Sequence, residues 1–340
     1  MDEQPPLNQK NNPVPRQQVD LQTDKIYVVQ QDDHIRLDKY IALSIPKYTR
    51  SYILRLIKSD CVHVNQQLKK PGYLVRAGDQ ISISIPEYET QTALPEAIPL
   101  DILYEDNDIL IINKQAGLVI HPAPGHANGT LVNALLNYNS VQFSKVDRYG
   151  IVHRLDRDTS GCLMVAKNRN AQTYLNNAFK ERTIEKRYCA LVNGQMQKEQ
   201  GIIDFPIGRH PTHRKKMSIH ARHHRNAETH WSVSCKFDYF TLLNVLLKTG
   251  RTHQIRVHLA AINHPIVGDP LYGKNRNLHN QESIVQAHLK QINRQMLHAK
   301  LLGFTHPKTK QFMRIAAPMP DDMAQIVEIL LDKGPQIFSI

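Results

Sequence analysis

His153-Arg154-Leu155-Asp156-Arg157-Asp158-Thr159-Ser160-Gly161 runs directly into the apolar stretch Cys162-Leu163-Met164-Val165-Ala166. A short apolar run entered through a turn signal reads as a strand. Thr159-Ser160-Gly161 is then the turn that delivers the chain into a sheet. Asp156 stands just ahead of that turn, between Arg154 and Arg157. Guanidinium groups beside a carboxylate favour its anion, the state required of a nucleophile or general base. A surface ion-pair cluster at a strand entry is the plainer reading of the same nine residues, because structural ion pairs shift pKa values too.

The flanking segments define the fold class. Upstream, Asp101–Tyr104 and Ile109–Ile112 read as strands joined by the turn Glu105–Asp108, and Thr130 to Asn137 as a capped helix. Downstream, Tyr174, Leu175, Ala178 and Phe179 give Ala171–Arg182 helical spacing. Lys186–Val192, Trp231–Cys235 and Thr241–Leu247 read as further strands. Strands in runs with occasional helices, without regular βαβα alternation, predict an α+β domain on a mixed sheet. It spans residues 99–330, with 331–340 as a C-terminal tail.

The N-terminal part is separate. Residues 1–22 are rich in Gln, Asn and Pro and predict a disordered tail. Residues 23–86 form a small α/β unit. Leu37, Tyr40 and Ile41, then Ile53, Leu54 and Ile57, mark two amphipathic helices, the second capped by Thr49 or Ser51 and carrying Arg50, Arg55 and Lys58. Short alternating strands at Val62–Asn65 and Ile81–Ile85 follow. Basic helices on a small ribbon suit binding of structured RNA through phosphates; a solvated basic face is the alternative. The polar stretch 87–98, EYETQTALPEAI, reads as a linker.

Composition narrows the partners. The 340 residues carry 43 Lys and Arg against 31 Asp and Glu, a net charge of +12, and 18 His. That excess points to a polyanion, nucleic acid first and an anionic membrane second. No apolar run approaches the ~20 residues that span a bilayer, and the N-terminus lacks a signal-peptide pattern. The four cysteines are scattered without a C-x-x-C pair, which argues against a disulfide framework or structural zinc. A cytoplasmic protein with reduced thiols is expected.

Four further stretches bear on chemistry. His210–Asn226 (HPTHRKKMSIHARHHRN) is the most basic segment; a metal-binding reading of its histidines fails for want of a carboxylate or cysteine. An RNA-contacting loop around Arg214, Lys215 and Lys216 fits better. Tyr188, in Lys186-Arg187-Tyr188, is by itself a core tyrosine. Gly250-Arg251-Thr252-His253-Gln254-Ile255-Arg256-Val257-His258 joins a strand to a helix and is dense in donors without a local acid. Arg251, His253 and Arg256 are placed to bind phosphate at a helix start, or an arginine there to pair with Asp156. Gly268–Gly273 reads as a structural turn, and 274–293 as a polar excursion.

In order, H-R-L-D-R-D-T-S-G, K-R-Y-x-A-L-V-x-G, T-G-R-T-H-Q-I-R-V-H and H-P-I-V-G-D-P-x-Y-G resemble the pseudouridine synthases of the RluA superfamily. R-L-D-K-Y-I through G-D-x-I resembles the small RNA-binding module named after ribosomal protein S-four. Together they resemble the D-type branch, which acts on the large ribosomal subunit. The resemblance implies an isomerase that breaks the uridine C1′–N1 bond, turns the base and rejoins it through C5. It assigns Asp156 as the catalytic carboxylate, attacking the sugar or removing a sugar proton. It makes Arg256 the ion-pair partner of Asp156 and Tyr188 the platform for the flipped base. Arg154 would fill the gap the base leaves, with Arg157, Arg251 and His253 on the RNA. The turn Asn113-Lys114-Gln115-Ala116-Gly117 lacks the family's proline, a change expected to loosen the turn without touching catalysis.

The expected substrate is 23S rRNA or a large-subunit precursor, bound by a monomer. No cofactor and no metal are expected, since the reaction needs no redox step or energy source and no dinucleotide or Walker glycine loop is present. Rival readings are the same chemistry on tRNA or another rRNA helix, and a ribosome-assembly factor whose catalysis is secondary. A phosphoester hydrolase lacks a metal-binding carboxylate cluster.

Overall fold

The computed structural model describes residues 21–30, 34–45, 50–86, 93–122, 127–273 and 283–332. The chain divides into two compact units, Met1–Thr92 and Ala93–Ile340.

The small unit contains β1 (Leu21–Val28), α1 (Leu37–Ser44), α2 (Arg50–Lys58), β2 (Val62–Val64), β3 (Gln67–Leu68) and β4 (Gln80–Pro86). Its sheet runs β1-β4-β2-β3. Leu37, Ile41, Ile53, Leu56 and Ile57 from the helices meet Val62, Val64, Ile81 and Ile83 from the strands in one core. β1 starts inside the stretch read as tail. Thr49, proposed as a helix cap, lies outside the described residues, as does residue range 1–20.

The large unit contains β5 (Ile102–Glu105), β6 (Ile109–Lys114), α3 (Leu131–Phe143), β7 (Ser160–Ala166), α4 (Arg169–Glu181), β8 (Glu185–Asn193), β9 (Gln200–Ile203), β10 (Ile207–Arg209), β11 (Met217–Ser218) and β12 (His224–Arg225). β13 (Thr229–Lys236), β14 (Phe240–Leu247), α5 (Gln254–Ala261), α6 (Ser283–Gln291), β15 (Leu297–Thr305), β16 (Phe312–Ala316) and α7 (Asp321–Leu331) complete it. The main sheet runs β5-β6-β7-β15-β8-β14-β13-β9, with β16 also on β15. β7 and β15 are parallel and the other pairs antiparallel, which is the mixed α+β sheet expected.

Every residue of β7 is buried. Leu163 and Val165 face one core with α3, α5 and α7, while Cys162, Met164 and Ala166 face another with α4. An uninterrupted apolar run is what two covered faces require.

Gly161 makes the junction possible. It sits at φ +109, where a Cβ would lie 2.7 Å from the Ala299 nitrogen and closer still to its carbonyl oxygen. Gly161→Ala therefore forces β7 off β15. The expected loss is at least about 1–3 kcal/mol, from the dihedral strain alone, read as a lower urea midpoint; an unchanged midpoint would refute the tight crossing.

Two expectations need correction. Residues 93–98, read as linker, are stitched to the large unit: Asn133 Nδ2 donates to the Leu94 carbonyl at 2.8 Å, and the Glu96 amide to the Asn133 carbonyl at 3.1 Å. Ala93 itself is buried. Residues 283–291, read as polar excursion, form α6, which packs Val285 and Leu289 against the main core. Two isolated apolar residues four apart suffice for one helical contact but leave little sequence signal.

Candidate active site

Residues 152–159, just ahead of β7, form no helix or strand, so side-chain contacts hold His153–Thr159 in place. His153 is half-buried, stacked on Phe179 at 4.7 Å, and its Nε2 accepts the Met164 amide at 2.8 Å. Burial pushes its pKa down to about 3, with Lys186 adding to the effect. Leu155 enters the main core. Gln295 Nε2 donates to Thr159 Oγ1 at 3.1 Å, and Ser160 Oγ meets His298 Nδ1 at 3.0 Å.

Lys114 lies beneath the loop, almost fully buried. Its ammonium donates to the carbonyls of Gln115, Leu118 and Arg157 at 2.7, 3.0 and 2.9 Å. The Gly117 amide also donates to the Arg157 carbonyl at 3.0 Å. Burial pushes the Lys114 pKa down to about 7, against the pull of Asp158 and Asp156. The proline-less turn thus grips the residue next to Asp156, a contact the sequence did not show. The cause is long-range: β6 and β7 are neighbours, so the turn after one abuts the loop before the other.

Asp156 is 17% exposed at the bottom of an open cleft lined by Arg154, Tyr188, Leu247, Arg251, His253, Arg256 and Leu297. Its Oδ2 accepts from Arg256 Nη1 at 3.0 Å and lies 3.9 Å from His253 Nε2. Oδ1 takes no hydrogen bond among the described residues. The adjacent arginines do not supply the partner. Arg157 turns outward and pairs with Asp158 at 2.9 Å, and Arg154 is exposed on the cleft wall. Consecutive residues of an irregular loop point in different directions, so adjacency in sequence did not become contact.

Arg256 comes from the first turn of α5 and is 5% exposed. Its Nε and Nη2 are clamped by the fully buried Asp269 at 2.7 and 2.9 Å, leaving Nη1 for Asp156. Asp269 Oδ1 also accepts the Leu271 and Tyr272 amides at 2.9 and 3.0 Å. Burial raises the Asp269 pKa, but the hydrogen bonds and charge of Arg256 with those amides outweigh it and leave it below the ordinary value. Burial likewise works against the Arg256 cation, and Asp269 and Asp156 together outweigh it and raise its pKa. The acid missing from Gly250–His258 is therefore Asp269. The sequence reading passed over it as part of a structural turn; the donor-rich stretch's need for an acid was the available clue.

Other members of that stretch turn inward. Gln254 bonds the Thr249 hydroxyl, the Arg251 amide, the Glu228 carbonyl and Thr229 Oγ1. His258 is held between Thr229 Oγ1 and the Phe205 carbonyl at 2.9 and 2.8 Å. Arg251 Nε donates to the Asn226 carbonyl at 3.0 Å. Tyr188, on β8, lines the cleft beside Asp156; burial and then the Asp156 charge raise its pKa.

The basic segment is not simply a loop. β10, β11 and β12 form a three-stranded ribbon with Arg214 and Lys215 exposed and Lys216 half-buried. Two-residue strands are too short to show a period. In the small unit Arg50 is partly spent on buried Asp38, at 2.8 Å through Nε and 2.7 Å through Nη2, whereas Lys58 is exposed. The Arg55 side chain lies outside the described residues.

Asp106, Asp108 and His306 also converge, but their atoms are already engaged. His306 Nε2 meets Asp106 Oδ2 at 2.7 Å, its Nδ1 accepts the Lys308 and Thr309 amides, and Asn168 donates to Asp108. The cluster ties two turns together.

The class of protein that carries this mixed sheet, with a loop-borne aspartate against a clamped arginine, follows from direct comparison with known proteins. Residues 108–261 match the family described as RNA pseudouridylate synthase, and residues 35–81 match the S4 domain. The chain is 42% identical over 301 residues to an uncharacterised RNA pseudouridine synthase of Bacillus subtilis, covering 88% of this chain and 95% of the relative. It is 43% identical to the ribosomal large subunit pseudouridine synthase D of Escherichia coli K12, covering 87% and 90%. The human RNA pseudouridylate synthase domain containing 1 structure superposes with TM-score 0.52 at 27% identity, covering 69% of this chain and 96% of that one. The chain belongs to the RNA pseudouridine synthase family. It is an isomerase that converts uridine in RNA to pseudouridine, with an RNA-binding S4 domain at its N-terminus. Among the described residues no helix is long and apolar enough to cross a membrane.

Proposed function

We propose that the enzyme modifies uridines of 23S rRNA in the large ribosomal subunit or its precursor, with Asp156 as the catalytic carboxylate. The observation that carries the site assignment is Asp156 held by Arg256 in a cleft that also presents Tyr188. The substrate assignment follows relatives named as large-subunit synthases.

A uridine in a stem reaches this cleft only when flipped out, at a cost of a few kcal/mol. The basic surface offsets part of that through phosphate contacts, with Arg214, Lys215, Lys216, Arg50 and Lys58 as contributors. Stacking on Tyr188 returns roughly 1–3 kcal/mol, and Arg154 fills the vacated place. Asp156 then acts at the ribose, by attack on C1′ or by removal of a sugar proton. The C1′–N1 bond breaks and the base turns; C5 then bonds to C1′, displacing the Asp156 carboxylate if it attacked C1′ or with the abstracted proton returned to the sugar if it acted as a base, and the C5 proton leaves to solvent while N1 gains one. Arg256 fixes the carboxylate, and Tyr188 assists the late C5 deprotonation.

Pseudouridine mapping of total RNA from cells lacking the gene tests the substrate. Loss of carbodiimide-dependent stops in a 23S stem-loop, restored by the wild-type gene, is expected. Loss confined to tRNA would discard the 23S assignment. No lost site would favour an assembly role.

A further inference from the structure

The basic ribbon and the Asp156–Arg256 pair meet at one side chain, Tyr272. The Met217 amide of β11 donates to Tyr272 Oη at 2.7 Å, and the same oxygen lies 2.9 Å from His253 Nδ1. The Tyr272 ring packs against the Arg256 guanidinium, 5.2 Å from its centroid, and edge-on to the His253 ring. Ile207 of β10, Val257 of α5, Met217 and Tyr272 share a small apolar cluster. At the ribbon's other end, Arg251 holds the Asn226 carbonyl. The ribbon is thus fastened twice to the stretch that supplies Arg256.

The hydrogen-bond sense follows from the available protons. The Tyr272 oxygen accepts the Met217 N–H, and donating its own proton to His253 Nδ1 is the arrangement that satisfies both groups within the protein, without recourse to solvent. His253 then carries its proton on Nε2, 3.9 Å from Asp156 Oδ2. Burial pushes the His253 pKa down, against the pull of Asp156, in keeping with a neutral ring, and burial pushes the Tyr272 hydroxyl up to about 12. His253 itself occupies the left-handed region at φ 56, ψ 21, with no side-chain capping bond.

We propose that Tyr272 is a positioning residue that, through His253 and Arg256, registers RNA gripped by the basic ribbon against Asp156. The proposal rests on Asp156 being the catalytic carboxylate. Phosphate contacts at Arg214 and Lys215 are then felt at the carboxylate as orientation, beyond their share of affinity.

The test uses the full-length enzyme and a saturating 23S stem-loop RNA in single turnover, with RNA affinity measured separately. Tyr272→Phe keeps the ring on Arg256 and removes only the hydroxyl; the expected result is a rate about tenfold lower with RNA affinity within about twofold of wild type. His253→Asn tolerates the left-handed backbone and keeps an acceptor for Tyr272 but loses the Nε2 proton; the same split is expected. Combining Arg214→Ala and Lys215→Ala should slow the saturated rate in the parent enzyme and add nothing to Tyr272→Phe. Rates multiplying independently, or Tyr272→Phe at the wild-type rate, would overturn the proposal. An active Asp156→Asn control would instead overturn the site assignment beneath it.

Discussion

Arg256→Leu is expected to unfold the large unit more easily by roughly 3–5 kcal/mol, the cost of leaving a buried carboxylate without its cation. Asp269 is fully buried and takes two bonds from Arg256; without them only two backbone amides face it. Acid should reverse part of the damage. In the wild type the Asp269 pKa is lowered by folding, so its contribution to stability is present above the unfolded value, about pH 4, and disappears as pH falls through the folded value. Without Arg256, burial is the main influence and raises the folded pKa above the unfolded one. The penalty then applies where the carboxylate must ionise and fades as pH falls. The stability gap between wild type and variant should therefore narrow on acidification, read from urea midpoints across pH 3.5 to 7 (a span chosen about the carboxylate range). A gap that is small at neutral pH, or that widens in acid, would mean that the clamp bears no such load.

How far the sequence exposed this arrangement can be judged residue by residue. β7 was legible because strands covered on both faces must be apolar throughout, and α4 because its apolar residues recur at helical spacing. Asp156, Tyr188 and Arg256 were legible through motifs, which encode local chemistry. What was not legible depended on contacts across the fold. Asp269 and Tyr272 lie 13 and 16 positions beyond Arg256, in a turn with no periodicity, and acquire meaning only when the turn folds under α5. Lys114 looked peripheral until β6 and β7 proved adjacent. The neighbours of Asp156 in sequence were the wrong cations, because an irregular loop scatters successive side chains. The short strands of the ribbon carry too few residues for a period-two pattern to register.

Asp156→Asn is the second large effect. The substitution keeps size and leaves an acceptor oxygen for Arg256 Nη1, so the clamp by Asp269 and the fold should persist. On the proposed assignment it removes the charge and basicity that attack at C1′ or removal of a sugar proton would require. Loss of a group on which the whole reaction turns lowers rates by about 10⁴-fold or more in comparable enzymes. RNA affinity should change little, because phosphate contacts supply most of it. Release of tritium from C5 of uridine in a 23S stem-loop RNA follows the isomerisation itself, since that proton leaves only when C5 has replaced N1. With RNA saturating and binding verified, the wild-type enzyme should release tritium and Asp156→Asn should release none above background. Release by Asp156→Asn within about tenfold of wild type would contradict the assignment of Asp156 as the catalytic carboxylate.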